Sequence, residues 1–392
     1  MVGRRRWLKG LALALGALPL GRTPGTWAGA TQAAGAAAAP PGEAGATAEG
    51  GRHEVARLAL NENPFGPSRA VSTALQRQFP SLCRYVGREY DELIELIAAK
   101  ESTPKDQIIL GEILEPLGTH LSLRGGPGGE FIYSDPGYTA LIDSAVAVGG
   151  RAVAVPLNAR LENDLPAIES RVNERTRAVY LVNPHNPTGI VTDALELKHA
   201  VRAISRRALV IVDEAYLEFA DHFAERTLTD LVRRGDNVIV FRTFAKIYGL
   251  AGLDLGFGLV PKPIAEALSA QGLTNPHLFN RLSIAAAAAS LSDPSYVEGV
   301  AQRVAEESQK WFRLFDELKV RHTPSAANFV FFETGMAHAE FATRMLQEGV
   351  AIGHVFPPYE RWARISIGLP SENELAHRAV RKLLATAASR SS

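Results

Sequence analysis

Three apolar runs in this sequence end in polar residues that a hydrophobic core does not call for. Residues 178–182 lead into Asn183, Pro184, His185, Asn186, Pro187, Thr188 and Gly189. Residues 209–212 lead into Asp213, Glu214, Ala215 and Tyr216, and residues 238–241 into Arg242, Thr243, Phe244, Ala245 and Lys246. An acid directly after a buried apolar run is costly unless it is paired. A lysine at the end of the next run stands to face it across one crevice. Each signal alone has a plain structural explanation: a proline turn, a helix cap at Asp213, a solvated lysine at 246. Three such ends, in order, on consecutive runs point instead to one shared site.

The elements that must hold these residues alternate along the chain. From about residue 70, amphipathic stretches are interleaved with short β-branched runs. Residues 89–100 read as a helix with Leu93, Ile94, Leu96 and Ile97 apolar, and residues 193–205 place Leu197, Ala200, Val201 and Ile204 on one helical face. Thr192 is the expected cap of the second helix. Strands are predicted at 107–110, 130–134, 152–155, 178–182, 209–212, 238–241 and 256–260. Continuous apolar strands separated by helices predict an α/β fold with a parallel sheet covered on both faces. Ligands of such sheets bind beyond the carboxyl ends of the strands, where the three polar ends lie. After about residue 290 a long helix (296–318), strands at 328–333 and 363–367 and a last helix from Glu372 predict a smaller α+β domain.

Asn-Pro-x-Asn-Pro-Thr-Gly from Asn183, then Asp-Glu-Ala-Tyr from Asp213, then Lys246 followed by Gly249-Leu250-Ala251-Gly252-Leu253 form a combination. It resembles the fold-type I pyridoxal-phosphate aminotransferases of class I/II, in particular the histidinol-phosphate aminotransferase group. The flanks Leu60 to Ser68, Arg84-Tyr85, Asp135-Pro136-Gly137-Tyr138 and Ala363 to Gly368 agree with it, over about residues 57 to 385. The resemblance implies a large domain with a mostly parallel sheet (52–290, with an N-terminal arm) and a small C-terminal domain (291–392). It implies pyridoxal 5'-phosphate as cofactor and transfer of an amino group from an amino acid to a 2-oxo acid.

Carried over residue by residue, the resemblance makes Lys246 the Schiff-base lysine and Asp213 the partner of the pyridine nitrogen. Asn186 and Tyr216 match the groups on the phenolic oxygen, and Tyr138 the ring that stacks on the cofactor. Gly111, Glu112, Ile113 and Thr243 fall at the phosphate. Tyr85 matches a tyrosine that reaches the neighbouring subunit's cofactor, which implies a homodimer. Arg364 matches the binder of the substrate carboxylate, and Asn63 lies in the arm that lines the substrate site. The same fold hosts decarboxylation, elimination and racemisation, so these stand as alternatives, as does a binding protein without turnover.

The departures from the family pattern cluster at the phosphate. Glu112 stands where small or hydroxylated residues are usual, Ala245 replaces the serine before the lysine, and Asp254 replaces the arginine after Gly-Leu-Ala-Gly-Leu. Losing that arginine removes a charge-assisted hydrogen bond, and an aspartate adds repulsion. Arg242 is near in sequence, but strand alternation points it elsewhere.

Composition narrows the remaining classes. In 392 residues, 42 basic and 42 acidic side chains cancel, so no basic surface for nucleic acid is expected. The one cysteine, Cys83, excludes an internal disulfide, and no histidine spacing suggests a metal. Residues 1–30 resemble a twin-arginine export signal: Arg4-Arg5-Arg6-Trp7-Leu8-Lys9, an apolar run at 11–20 too short to span a bilayer, then Ala28-Gly29-Ala30. Residues 31–51, rich in Ala, Gly, Pro and Thr, read as a linker. The twin-arginine export machinery is therefore an expected partner, the periplasm or another exported location is expected, and no permanent membrane span is expected. Export also argues against histidinol phosphate as substrate, because histidine synthesis is cytoplasmic.

Overall fold

The computed structural model describes residues 55–388 apart from residues 125 and 127. The expected export signal and linker lie outside the described residues. Eleven strands follow one another: β1 (Ala56–Leu58), β2 (Ile108–Leu110), β3 (Glu130–Asp135), β4 (Arg151–Pro156), β5 (Thr176–Val182), β6 (Leu209–Asp213), β7 (Val238–Thr243), β8 (Gly256–Leu259), β9 (Phe329–Glu333), β10 (Val350–Ile352) and β11 (Trp362–Ser366). Seven of them form one sheet in the order β2-β8-β7-β6-β5-β3-β4. All its neighbours run parallel except β8, which is antiparallel to both β7 and β2. This is the mostly parallel α/β sheet expected from the apolar runs. β1 pairs with β10, and β9 with β11. The strands at 56–58 and 350–352 escaped the sequence pattern, since three residues carry no readable periodicity.

The pleat sorts the side chains of the central strands onto two cores. Val210, Val212, Val238 and Val240 enter one core, which also holds Phe329, Trp311 and Ile365. Ile211, Leu209, Ile239 and Phe241 enter the other, with Ala178, Tyr180 and Val182. Alternation with period two is what a strand buried on both faces imposes. It decides the fate of the strand ends: Asp213 follows Ile211, Thr243 follows Phe241, and Arg242 follows Val240 to the opposite face.

Helix termini follow local chemistry. The helix Ala194–Ser205 is capped by Asp193, whose carboxylate accepts from the N–H groups of Leu195 and Glu196 at 3.0 Å. Thr192, the expected cap, is buried and donates its backbone N–H to Asn183 instead. The longest helix, Pro294–Leu318, begins with Pro294 behind the capping Asp193-like residue Asp293 and buries Val300, Val304, Trp311, Leu314 and Phe315. In the helix Arg88–Glu101, Leu93, Ile94 and Ile97 are buried while Leu96 stays exposed. No helix among the described residues is long and apolar enough to cross a membrane.

Arg242 closes a buried polar network. Its guanidinium donates to Glu101 at 2.7 Å, to Glu214 at 2.9 Å and to the Thr227 hydroxyl at 2.8 Å. Thr227 and the N–H of Leu228 complete the bonds to Glu214. Removing one member leaves two carboxylates buried without their cation. Arg242→Ala is expected to cost about 3–5 kcal/mol of stability, read from the midpoint of urea unfolding; a loss below about 1 kcal/mol would show that water enters and resolvates the acids.

Candidate active site

A cavity of about 330 Å³ opens at the carboxyl ends of β5, β6 and β7. Its floor is Val182, Asp213, Phe241 and Thr243, the strand ends that share one face of the pleat. Asp213 is buried: it accepts the Tyr180 hydroxyl at 2.8 Å and the N–H of Ala215 at 2.9 Å. Burial pushes its carboxyl up to about 6, while Tyr180, the Ala215 N–H and the Lys246 cation oppose that rise. Lys246 reaches into the same space. It has no acidic partner within salt-bridge distance among the described residues, and its Nζ lies 3.4 Å from the Leu60 carbonyl and 5.7 Å from the centre of the Tyr216 ring. Acid and amine therefore share one cavity, as their places after consecutive strands suggested.

The far wall comes from β11 and the segment after β1. Arg364 is buried between the rings of Phe329 and Phe356. One guanidinium nitrogen donates to Asn186 Oδ1 at 2.7 Å, another to the Ala59 carbonyl at 2.8 Å, and Nε has no partner. No carboxylate among the described residues pairs with it, and burial pulls its pKa down from the ordinary arginine value. A Cβ at Gly353 would come within 3.2 Å of that guanidinium, so the glycine makes its seat. Asn61, at φ +56°, hydrogen-bonds Ser366 and donates to the Tyr216 hydroxyl at 3.1 Å. Leu60, Tyr138 and His354 complete the mouth.

The end of the cavity beside β7 is acidic. Glu112 accepts the Thr243 hydroxyl at 2.9 Å, and Asp254, at φ +45°, stands at the rim. Glu112 thus faces the cavity and does not turn away from it. Burial pushes its carboxyl up to about 7; Thr243 and Lys246 oppose, Asp254 and Asp213 reinforce.

Several expected site residues lie elsewhere. Asn63 does not line the cavity: its amide donates to the Ile247 carbonyl at 2.8 Å and clamps the arm to the lysine loop. The Ile113 side chain belongs to the apolar core, and Gly111 is tied by its N–H to the Gly256 carbonyl. Tyr85, expected at a neighbouring subunit's cofactor and not at its own, is 76% exposed and lies against His277 with the rings tilted. Other residues in or beside the site had no role in the sequence reading: Tyr180, Leu60, Asn61, His354 and His185. Tyr180 was visible only as an apolar strand position. His185, inside the Asn-Pro-x-Asn-Pro-Thr-Gly segment, is fully buried with Nε2 unpartnered, and burial pulls it down to about 3.

The donor set fits a pyridine carrying an aldehyde: a buried acid for the ring nitrogen, an unpaired amine for the carbonyl, and Asn186 and Tyr216 for a phenolic oxygen. The phosphate end supplies carboxyls where cations are usual. Residues 53–382 match the family model "Aminotransferase class I and II". The chain belongs to the class I and II aminotransferases. It is 34% identical over 346 residues to a histidinol-phosphate aminotransferase of Moorella thermoacetica, covering 86% of this chain and 87% of that one. It is 35% identical over 336 residues to histidinol-phosphate aminotransferase 1 of Mesorhizobium japonicum, covering 84% and 90%. The crystal structure of the Sinorhizobium meliloti histidinol-phosphate aminotransferase in complex with pyridoxal-5'-phosphate superposes with a TM-score of 0.76 at 29% identity, covering 86% of this chain and 92% of that one.

The raised Glu112 carboxyl has a consequence for stability. Between about pH 4.5 and 7 the folded state holds a proton there that the unfolded chain releases, so folding weakens as pH rises through that window. The ligand-free Glu112→Gln variant, which has no such proton, is expected to melt above wild type at pH 8 and level with it at pH 4. Equal melting temperatures at pH 8 would place the carboxylate in water.

Proposed function

We propose that Lys246, Asp213 and Arg364 carry pyridoxal-phosphate-dependent transfer of an amino group between an amino acid and a 2-oxo acid. The observation that carries this reading is the pair of buried arginines. Arg242 meets two carboxylates, whereas Arg364, also buried, meets none among the described residues. A buried cation with no counter-charge invites an anionic ligand, and a guanidinium matches a carboxylate in a two-pronged pair.

Bound pyridoxal phosphate supplies an electron sink that acidifies the carbon bearing the substrate's amino group. The chain's own residues do the rest. Lys246 Nζ would hold the cofactor through its aldehyde carbon and, once a substrate amine has displaced it, would take the substrate Cα proton as a free amine and return it. Asp213 meets the pyridine N–H and, as carboxylate, favours its protonated form; the Tyr180 hydroxyl and the Ala215 N–H keep it in place. The Asn186 amide and Tyr216 hydroxyl face the phenolic oxygen. Arg364 fixes the substrate carboxylate and so orients the Cα–H toward the lysine. Leu60 and Tyr138 cover the mouth.

Three further features belong to this proposal. Phe79, Leu82, Tyr85 and Leu278 are exposed large hydrophobics, which supports a face for a second copy of the chain. The Arg4-Arg5 pattern supports twin-arginine export to the periplasm. With export, the substrate is a free amino acid and not the histidinol phosphate of the named relatives.

Absorption spectroscopy tests the core of the reading. Purified protein loaded with pyridoxal phosphate is expected to show a band that Lys246→Ala lacks and that one amino acid bleaches, with a 2-oxo acid as product. Carbon dioxide or an inverted amino acid as product would replace transfer by another reaction on the same site. Arg364→Ala is expected to lower kcat/KM for the 2-oxo acid by at least about thirtyfold, the equivalent of ~2 kcal/mol. An unchanged kcat/KM would remove Arg364 from the substrate site.

A further inference from the structure

The cofactor's phosphate is due at the end of the cavity formed by Glu112, Thr243 and Asp254, and that end offers little to a dianion. Two of its neutral donors are already engaged. The N–H of Ala245 donates to the Thr243 oxygen at 3.0 Å, and the Thr243 hydroxyl donates to Glu112 Oε1 at 2.9 Å. Arg242, the base on β7, lies on the other face of the sheet and is held by Glu214 and Glu101. The Glu112 carboxyl has a built seat: a Cβ at Gly256 would come within 3.0 Å of Oε1 and 2.7 Å of the Arg242 carbonyl. Its other oxygen, Oε2, makes no hydrogen bond among the described residues.

This inference rests on the proposed function for the presence of the cofactor. We propose that Glu112 binds the cofactor's phosphate as a neutral carboxylic acid, Oε2–H donating to a phosphate oxygen while Oε1 accepts from Thr243, so that at a pH where the free carboxyl is ionised loading takes up one proton from solvent. No covalent bond is made or broken in this step; the proton ends shared between the carboxyl and phosphate oxygens.

The surroundings favour that proton. Burial and the negative charges of Asp254, at the turn into β8, and Asp213, at the end of β6, hold the carboxyl near neutrality. Lys246 and the Thr243 hydroxyl act the other way. Tyr138, from the loop after β3, also faces it and stays a neutral phenol; Glu115, in the first turn of the helix Leu114–Leu123, adds a further negative field at Tyr138. An arriving phosphate adds negative charge and draws the proton in more strongly. An arginine at this position would grip phosphate at any pH; a carboxylic acid grips it only while the proton stays. Retention of the phosphorylated cofactor therefore weakens as pH rises above the Glu112 midpoint.

The test compares two aldehydes on cofactor-stripped full-length protein. Pyridoxal shares the lysine chemistry of pyridoxal phosphate and lacks the phosphate. Dissociation constants for both are measured from the Lys246-dependent absorption band between pH 6 and 9, for wild type and Glu112→Gln. The preference of wild type for the phosphorylated form is expected to fall by about tenfold per pH unit above the Glu112 midpoint. The amide of Glu112→Gln donates at every pH and should keep its preference. The phosphate's own ionisation, near about pH 6, is common to both proteins. Calorimetry in buffers of different ionisation enthalpy should find close to one extra proton taken up by wild type at pH 8.5, relative to Glu112→Gln.

Pyridoxal binding shows that the variant is folded. Parallel pH profiles for the two proteins would overturn the proposal. So would binding of pyridoxal without binding of pyridoxal phosphate at any pH, since the cup would then exclude phosphate. If neither aldehyde gives a Lys246-dependent band at any pH, the assignment of Lys246 itself falls, and this proposal with it.

Discussion

A charge taken out of water must be met by another charge or by hydrogen bonds, and this molecule meets it in two ways on the two faces of one strand. Arg242 and Thr243 are neighbours on β7. The pleat sends Arg242 to one face, where Glu101, Glu214 and Thr227 satisfy it completely. It sends Thr243 to the other, where Lys246, Arg364, Asp213 and Glu112 are gathered around an open space with their charges incompletely matched. The first arrangement is closed and holds the fold. The second is left open to a ligand.

That incompleteness is chemically useful. Asp213 and Glu112 are both carboxyls raised by burial, to about 6 and about 7, in one cavity with an unpaired amine. Asp213 has two fixed donors, the Tyr180 hydroxyl and the Ala215 N–H. Glu112 has one donor and, at the phosphate end, no cation to replace the arginine that the family pattern carries. The residues that match the family at the ring are thus all present, while those at the phosphate end depart from the family pattern. Beside the ring half stands Arg364, with Nε unpartnered and no carboxylate among the described residues paired to it.

The sheet was legible because continuous apolar strands and helical faces carry strong periodic signals. The predicted strands at 178–182, 209–212 and 238–241 became β5, β6 and β7 with ends shifted by at most a few residues. Signals that depend on one or two residues transferred less well. Thr192 and Asp193 are both good caps, and only the path of the chain makes Asp193 the one that faces the free N–H groups. Asn63 matches its family position, yet its amide is spent on the Ile247 carbonyl. Tyr180 hid in an apolar run, because a tyrosine reads as a core residue until a buried acid is found beside its hydroxyl.

The sequence by itself determined the class of the molecule: its α/β sheet, the three strand ends that carry Asn186, Asp213 and Lys246, and the replacement of the phosphate arginine by Asp254. These follow from periodicity and from residue identity, which are local. Tertiary structure alone decided how each charge is matched. Whether Glu112 faces the cavity, whether Arg242 is available and whether Arg364 has a carboxylate partner depend on side chains between about 28 and 305 residues apart in the chain. Burial and pairing are set by such distant neighbours, and they decide which acids keep their protons and which cations wait for a ligand.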